Sequence, residues 1–412
     1  MGRAMRLGWI GGLGAVARVL VSCGVAQGTP TAKVQSSQTP SAATTPTATP
    51  TPTATAAPEG TLASCVGAAS ASSAASTTGP IIAVQIATAS VELIDTRGDV
   101  LNQAAIQPYA GATPVGQGPD GIYLYTASTG EVALLGPTGP LQEVASITAV
   151  NDFDDFSLAA SPNGQCWMFS DTSYDSNLNG TSRMYVGFNS GAAPILLATL
   201  TRSTSTDGGS PGYRLLRWDS AGVLLGSDPT GVGGGGPFIG EGYSLPGVVR
   251  MNPLTGALSP PLCTTGRFAD VASDGTLACL TGWGTDSEIE VTSPGGSTTT
   301  IDTGMPFAGQ IGFAGGSSLL TFCTSSDVWT DGAWTTNLLA VQLGAGTPMP
   351  ETLSSGAGPG QNESSYAWFK IVDGTSMFET RGGTGASSLV MINLLTGQMT
   401  DIVAADSILG VL

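Results

Sequence analysis

From residue 79 onwards, short apolar runs alternate with turns centred on glycine. The runs are rich in Val, Ile, Leu, Tyr and Phe, residues that favour strands, and no long stretch has helical periodicity. The pattern predicts an all-β fold for this part of the chain.

One kind of turn recurs in seven places, each followed directly by a strand-like run such as GIYLY or GVLLG. Its pivotal glycines are Gly79, Gly121, Gly164, Gly222, Gly275, Gly316 and Gly374. Successive glycines are 42, 43, 58, 53, 41 and 58 residues apart. The chain is therefore built from sequential units of similar length, which indicates a repeat architecture.

A second kind of turn comes later in each unit, between two apolar runs, as in VELIDTRGDVL and VVRMNPLTGALSPPL. In both kinds Gly, Asn and Asp stand where tight hairpins need a positive φ. Each unit holds three strands, with room for a fourth that enters from the preceding unit. Four short strands at this period predict a β-propeller with seven blades of four antiparallel strands. The units differ most in the middle loop, which is expected if insertions lie on one face.

The third unit carries a family resemblance. It reads ASPNGQCWMFSDTSYDSNLNGTSRMYVGFNSGAAPILLATL and resembles the repeat of TolB-type propellers. The matching elements are the turn Ser161–Gly164, the apolar strand Trp167–Phe169, the pair Ser170–Asp171, Gly180, the strand Met184–Val186, Gly191 and Leu-Ala-Thr at 197–199. Asn163 departs from the usual Asp, and the other units keep only fragments. The resemblance implies propeller architecture and little about activity, because such repeats occur in scaffolds, envelope proteins and peptidases.

The N-terminus has the pattern of an export signal. Arg3 and Arg6 precede the apolar run from Leu7 to Ala17, which is too short to span a bilayer. The following LVSC resembles a bacterial lipobox, and this implies cleavage before Cys23 and a diacylglyceryl thioether on its sulfur. Arg18 departs from the usual uncharged signal, so ordinary secretion and an unprocessed N-terminus stay as alternatives.

The segment behind Cys23 is rich in Thr, Pro and Ala, as in TPSAATTPTATPTPTATAAPE. Such a composition cannot bury enough apolar area to offset chain entropy, so we expect a disordered tether. The domain organisation predicted is a signal peptide at 1–22, a tether at 23–60 and the propeller at 61–412. We expect an exported monomer that touches a membrane only through lipid on Cys23, with its domain on the extracytoplasmic side.

Charge and composition exclude several functions. The chain has 13 Lys and Arg against 30 Asp and Glu, a net charge of −17, so no basic stripe is available for nucleic acid or anionic lipid headgroups. Histidine is absent, which excludes Ser-His-Asp and Cys-His catalysis and His-ligated metals. The sequence therefore indicates a protein that is not an enzyme and has no cofactor. Any catalysis would use carboxylates, Tyr, Arg or bound calcium.

A calcium loop is the best-defined metal site that the sequence offers. DSNLNG places Asp175, Asn177 and Asn179 at alternate positions before a glycine, with Asp171 nearby, and such oxygens can surround Ca²⁺. The position of the EF-hand glutamate is Val186, so this is no EF-hand. The alternative is an Asn-Gly hairpin turn with exposed polar residues.

Five cysteines follow Cys23. They are Cys65, Cys166, Cys263, Cys279 and Cys323. In an exported protein this number suggests disulfides with one thiol left over. Cys263 ends the fourth unit and Cys279 lies in the first strand of the fifth, so a bridge between neighbouring blades is expected there.

Other candidate segments have a structural and a functional interpretation. Three aspartates in NDFDDFS could bind a cation or act as an acid and base, or could lie in a solvated loop. The glycine-rich insertion at 229–247 is interpreted as a loop over one face of the propeller. Trp283, Trp329 and Trp334 could stack on sugar or bind a protein, or could pack between blades.

Taken together, these features predict a lipid-anchored extracytoplasmic β-propeller that binds a protein or a cell-envelope glycan without catalysis. The alternative is a carbohydrate-active propeller, a hydrolase or lyase, that uses carboxylates near its axis, with or without calcium.

Overall fold

The computed structural model describes residues 60–66, 80–86, 90–105, 112–126, 129–147, 155–174, 180–202, 212–227, 248–263, 267–282, 284–314, 316–326, 334–344, 348–358, 370–372, 376–381, 388–405 and 407–411. Within these ranges the chain forms 27 strands and one short 3-10 helix, Leu62–Val66. No helix in the described part of the chain has the length and apolarity needed to cross a bilayer.

The described strands form seven antiparallel sheets, which are numbered in the order of the chain. For each sheet, the strands are named in their order across the sheet, and the strand named first is called its first strand. Sheet 1 contains β27 (Ser407–Val411), β1 (Ile82–Ile86), β2 (Ser90–Ile94) and β3 (Val100–Ala105). Sheet 2 contains β4 (Ala112–Gly118), β5 (Gly121–Thr126), β6 (Glu131–Leu135) and β7 (Gln142–Ser146). Sheet 3 contains β8 (Asp155–Ala160), β9 (Cys166–Tyr174), β10 (Gly180–Phe188) and β11 (Ile195–Arg202).

The remaining four sheets follow in the same order. Sheet 4 contains β12 (Tyr213–Asp219), β13 (Gly222–Ser227) and β14 (Val249–Met251). Sheet 5 contains β15 (Arg267–Val271), β16 (Leu277–Thr281), β17 (Glu288–Thr292) and β18 (Thr298–Asp302). Sheet 6 contains β19 (Phe307–Ala314), β20 (Leu319–Ser325), β21 (Trp334–Gln342) and β22 (Glu351–Gly358). Sheet 7 contains β23 (Lys370–Val372), β24 (Ser376–Arg381), β25 (Ser388–Asn393) and β26 (Met399–Ala404).

The sheets are arranged in a closed ring. Their first strands contact one another in succession, β27 with β4, β4 with β8, β8 with β12, β15 with β19, β19 with β23 and β23 with β27. Between β12 and β15 the connection is a salt bridge from Arg217 to Asp270. The first strands therefore surround a common axis, and the later strands of each sheet lie outward from it.

The core lies between the sheets. Seven apolar clusters occur among the described residues, and each joins two neighbouring sheets, including sheet 7 with sheet 1. A sheet covered on both faces needs apolar side chains on both, which explains continuous runs such as β5, where five consecutive residues are buried. The cluster between sheets 4 and 5 is small, with Leu224, Val248 and Val271 as its buried members.

The ring is closed by strand pairing between the two ends of the domain. β27, the last strand, pairs antiparallel with β1, the first, so that Ile82 lies opposite Val411. Strand order, outward stacking and this closure define a β-propeller, as the turn pattern predicts.

Sheet 4 differs from the expected four strands, because three are found in its described part. The segment after β14 runs beside it, and the amides of Ser259 and Leu262 donate to the carbonyls of Arg250 and Val248, both at 2.8 Å. Pro260 lies between these two donors, followed by a second proline, and neither has an N–H for the ladder. The fourth position is thus filled by an irregular, proline-containing segment.

Both kinds of turn lie at the same end of the sheets, because one joins the first strand to the second and the other joins the third to the fourth. This end is called the turn face. Gly164 and Gly275 have φ of 67° and 92° in turns of the first kind, a conformation that a side chain disfavours. Their conformation explains the recurring glycine in these turns.

Candidate functional site

A cleft of about 610 Å³ opens on the turn face where the first strands of sheets 4, 5 and 6 end. The first turns of sheets 3, 4 and 5 and the ends of their neighbouring strands supply most of its lining, and Arg250 in β14, the end of β19 and Gly316 supply the rest. Its charged residues are Arg217, Asp219, Arg250, Asp270 and Asp274. Charged residues make up only 10% of the chain, so five in one cleft is a local concentration. We call this the charged cleft.

Arg217 organises the charged cleft. Its Nη1 donates to Asp270 Oδ1 at 2.7 Å, and its Nη2 donates to the carbonyl oxygen of Val271. Its Nε lies 3.6 Å from Asp219 Oδ2. The guanidinium thus joins sheet 4 to sheet 5, where the apolar cluster formed by the described residues is the smallest of the seven.

Asp270 is held by donors on both of its oxygens. Besides Arg217, the amide of Val271 donates to Oδ1 at 2.7 Å and the amide of Phe313 donates to Oδ2 at 3.0 Å. Burial raises the pKa of the Asp270 carboxyl, and the Arg217 charge and these donors oppose that effect. Because every partner is a donor, the geometry suits the carboxylate. Asp270 therefore links sheets 4, 5 and 6.

Two further carboxylates complete the cleft. Asp219 Oδ1 accepts a hydrogen bond from Arg250 Nη1, so this carboxylate lies between two arginines. Asp274 accepts from the Ser317 hydroxyl at 2.6 Å and from the Thr276 amide at 2.8 Å. The Ser317 hydrogen bond and the Thr276 amide lower the pKa of the Asp274 carboxyl, which is exposed. The cleft can therefore offer both a negative group and guanidinium donors to a ligand.

A second hollow of about 270 Å³ adjoins the charged cleft on the other side of the turn between β12 and β13. The two share Pro162, Trp218, Asp219, Ser220 and Ala221 in their linings. Its other lining residues are Cys65 and Val66 on one side and Gly222 and the turn Asn252–Leu254 on the other, and Val66, Pro253 and Leu254 are the apolar side chains among them. We call this the apolar hollow.

The segment Gly60–Val66, here called the strap, forms one wall of the apolar hollow. A disulfide joins Cys65 to Cys166 at the start of β9. Asn163 Nδ2 donates to the Ser64 carbonyl at 2.8 Å, while its Oδ1 accepts from the Ser161 hydroxyl at 2.8 Å. An aspartate could not donate to Ser64, which explains the departure from the TolB-type repeat at this position.

The sequence-predicted disulfide residues lie together in the structure. Cys263, which follows the irregular fourth segment of sheet 4, is bonded to Cys279 in β16 of sheet 5. The Cys65–Cys166 bridge was not specified by the sequence, because its partners are 101 residues apart. Cys323 is buried in β20.

Most of the other predicted site residues lie outside the described residues. This applies to Cys23, Asp175, Asn177, Asn179, the insertion at 229–247, Trp283 and Trp329. Asp171 is buried in β9, with its Oδ2 3.3 Å from Arg183 Nη1 on the neighbouring strand β10. Trp334 begins β21. Among the described residues, no group of three or more acidic or cysteine side chains has the arrangement of a metal site.

Sequence reasoning missed the five charged residues of the cleft. The available signal was position: Asp219 ends the first strand of unit four, and Asp270 and Asp274 flank the end of the first strand of unit five. Charged residues at the ends of inner strands are candidates for a site at the mouth of a propeller. The sequence does not show which of these charged residues lie together. The structure shows it, because turns of sheets 3, 4, 5 and 6 lie side by side around the cleft.

Comparisons with known proteins concern the fold. No protein family and no curated protein matches the sequence. TolB from Acinetobacter baumannii is 11% identical over 81% of this chain and 65% of its own, just under two thirds of its length, with a TM-score of 0.39. The Dos1 propeller is 11% identical over 81% of this chain and 86% of its own, with a TM-score of 0.45.

An enzyme is also among the similar structures. An acylaminoacyl peptidase is 8% identical over 80% of this chain and 53% of its own, with a TM-score of 0.46. Similarity of this degree says nothing about activity, so the function has to be inferred from the residues of this chain.

Proposed function

We propose that the protein is a seven-bladed propeller that binds another protein of the cell envelope on its turn face, and that lipid on Cys23 holds it at a membrane outside the cytoplasm. The observation that supports this proposal is the junction of the charged cleft with the apolar hollow. Together they offer a groove that has five charged residues in the cleft and the side chains of Val66, Pro253 and Leu254 in the hollow, with Asp219 lining both. A cell-envelope glycan is the second candidate ligand of the same groove.

The chemistry of the groove favours a protein ligand. Val66 and Leu254 are 48% and 40% exposed beside the apolar hollow, so apolar surface is available to a partner. Protein interfaces combine such an apolar centre with polar groups at the rim. A glycan ligand would instead favour exposed aromatic faces, and the tryptophan of the groove, Trp218, is only 7% exposed.

Two features support the location. The LVSC motif behind an apolar segment suits lipid attachment at Cys23, and the Thr- and Pro-rich residues that follow suit a tether. The described residues also include two disulfides, Cys65–Cys166 and Cys263–Cys279, which are typical of oxidising compartments.

Photo-cross-linking in cells tests the ligand. A photoreactive phenylalanine analogue replaces Ser220, which lines both hollows, or in a control Gln142, which is exposed on the outer strand of sheet 2. We expect Ser220 to capture one reproducible protein that Gln142 does not. Equal capture at both positions, or capture of glycan alone, would contradict a protein site in the groove.

Membrane fractionation tests the anchor. The wild type is expected in the membrane fraction and labelled by a fatty-acid analogue, and Cys23→Ser is expected to lose both properties while keeping its thermal unfolding midpoint. Unchanged membrane association of Cys23→Ser would contradict lipid attachment at this residue.

The alternative is a carbohydrate-active enzyme, and one observation favours it. The pKa shifts of Asp270 and Asp274 have opposite directions in one cleft, as in an acid and base pair. The donors on both oxygens of Asp270 argue against this role, because a general acid must be protonated. Turnover of envelope polysaccharide that disappears in Asp274→Asn would establish the enzyme.

Calcium at Asp171, Asp175, Asn177 and Asn179 remains part of this alternative. A melting temperature that Ca²⁺ raises in the wild type but not in Asp175→Ala would reveal calcium binding.

A further inference from the structure

The sheets differ in how regularly their fourth strand pairs with their third, and this regularity bears on whether the outer edge can pair with another chain. Five of the described pairs between third and fourth strands contain a register shift, namely β2–β3, β6–β7, β10–β11, β21–β22 and β25–β26. Sheet 4 carries Pro260 and Pro261 at this place. Bulges and prolines are two of the devices by which proteins prevent edge strands from pairing with other chains.

Sheet 5 lacks both devices. Its β17 and β18 pair over five residues without a register shift, from Glu288 opposite Asp302 to Thr292 opposite Thr298. The sequence of β18 is TTTID, with β-branched residues that favour a strand and without proline. Four of its five residues are exposed, and the fifth, Ile301, is buried against sheet 6. This edge is regular, accessible and fixed to the core.

The backbone of β18 presents unpaired groups to solvent. Residues opposite each other in an antiparallel pair alternate between those that exchange backbone hydrogen bonds and those that do not. Ser293 donates to the Ser297 carbonyl at 2.9 Å and Thr303 donates to the Ser287 carbonyl at 3.2 Å, so the bonded pairs are known at both ends. The alternation directs the N–H and C=O groups of Thr298, Thr300 and Asp302 outward.

The negative charge on β17 and β18 favours a basic partner at this edge. Glu288 lies opposite Asp302, and Glu290 lies opposite Thr300, so three carboxylates share the face on which Thr298 and Thr300 stand. Like charges directly opposite each other are unfavourable, and β16, β17 and β18 contain no Lys or Arg to relieve them. A strand added beside β18 would relieve them if it carried Lys or Arg at alternate positions.

We propose that β18 is a docking site where an extended, basic segment of a partner protein adds as a fifth strand to sheet 5. The main chain of the segment pairs with Thr298, Thr300 and Asp302, and its basic side chains neutralise Glu288, Glu290 and Asp302. A second copy of this chain is a poor occupant, because its net charge of −17 opposes self-association. The site lies on the outer edge of sheet 5, apart from the groove, so its failure would leave the proposed function untouched.

Thr300→Pro is the decisive variant. The Thr300 N–H points outward, so proline removes a donor to the partner and no hydrogen bond inside the sheet. Thr300→Val is the matched control, since it keeps the strand and the outward N–H. A second blocking variant, Thr298→Lys with Thr300→Lys, adds charges that repel a basic strand and does not depend on proline being accommodated.

Fluorescence anisotropy with the full chain measures the effect. The probe is a labelled peptide of alternating Lys and Thr, about nine residues long, and its counterpart has Glu in place of Lys. We expect the wild type and Thr300→Val to bind the Lys peptide, Thr300→Pro to bind about tenfold more weakly, and Glu288→Gln with Glu290→Gln to bind more weakly as well. Circular dichroism melting checks that each variant is folded.

Several results would overturn the proposal. These are an absence of binding to the wild type, equal affinity of Thr300→Pro and the wild type, and equal affinity for the Glu peptide. Sedimentation that shows a dimer in the wild type and a monomer in Thr300→Pro would overturn it in favour of a second copy. If Thr300→Pro does not fold, undiminished binding by the double lysine variant would do the same.

Discussion

At the scale of single residues, two polar side chains hold the site together by donating hydrogen bonds that a similar residue could not donate. Asn163 fixes the strap through its amide nitrogen, and Arg217 joins sheets 4 and 5 through its guanidinium. A residue of similar size can occupy each position without donating the same hydrogen bonds, which makes both residues suitable for substitution experiments.

Asn163→Asp should release the strap from the turn of sheet 3. The carboxylate would face the Ser64 carbonyl with no proton to donate, and the loss should be about 1–3 kcal/mol in the free energy of unfolding. Urea unfolding monitored by fluorescence measures it. The control is Asn252→Asp. Asn252 Oδ1 accepts hydrogen bonds from the amides of Leu254 and Thr255, and a carboxylate oxygen can accept the same bonds, so the loss in the free energy of unfolding should be near zero. Equal losses in the two variants would contradict the role of the Asn163 donor.

Arg217→Met should destabilise the protein in a pH-dependent way. Asp270 is 16% exposed, and without Arg217 its folded-state pKa, already raised by burial, would rise further above the unfolded value. Stability is then lost as pH rises through the folded pKa, so the loss relative to wild type should be larger at about pH 7 than at about pH 4. We expect a loss of about 2 kcal/mol near neutral pH, measured by urea unfolding.

The double variant Arg217→Met with Asp270→Asn tests whether the unpaired carboxylate of Asp270 causes the loss of stability in Arg217→Met. Removal of both charges leaves no buried ion without a partner, so part of the lost stability should return. A pH-independent loss in Arg217→Met, with no recovery in the double variant, would show that packing and not charge explains the effect.

At the scale of elements, the two disulfides join segments that strand pairing does not join in the described part of the chain. Cys263–Cys279 spans the boundary between sheets 4 and 5, which has the small apolar cluster, and Cys65–Cys166 secures a strap that has no strand partner among the described residues. Each bridge therefore adds a covalent connection where the described segments are held by side-chain contacts and not by a hydrogen-bonded ladder.

Replacing each cysteine pair by serine should lower stability in the order of the loops closed. The bridges span 16 and 101 residues, for which the chain-entropy account gives losses of about 3 and 4.7 kcal/mol. Equilibrium unfolding in urea without reductant measures both. A larger loss for Cys263→Ser with Cys279→Ser would show that the connection between sheets 4 and 5, and not loop entropy, sets the contribution of the disulfides.

At the scale of the whole molecule, stability depends on closure of the ring. β27 supplies the first strand of sheet 1 and also contacts β4 and β23, so one strand of five residues joins both ends of the domain. Such a strand is placed late in the chain, and the ring can close only after the whole domain has been made.

Deletion of residues 406–412 should therefore open the ring. The first strand of sheet 1 and its contacts with sheets 2 and 7 would be lost, and we expect the melting temperature to fall by more than about 10 °C or the cooperative transition to disappear. A chain that lacks Leu412 alone is the control and should melt like the wild type. Cooperative melting at the wild-type temperature after the longer deletion would contradict closure by β27.

Much of the fold could be predicted from the sequence, because its signals are local. Glycine at turns such as Gly164 and Gly275 and the short apolar runs between them reflect backbone sterics and burial within a few residues. Those signals determined the all-β class, the order of turns and the propeller architecture. The irregular fourth segment of sheet 4 also had a local sign in Pro260 and Pro261, which have no N–H for a ladder.

The candidate site was decided by tertiary structure. Arg217 and Asp270 are 53 residues apart and meet only because the ring places β12 beside β15. The accessible edge of β18 likewise depends on register, and the bulges of the other sheets leave no clear mark in composition. Contacts between distant segments form when whole sheets pack against each other, so they depend on the closed ring, whereas each turn depends only on its own few residues.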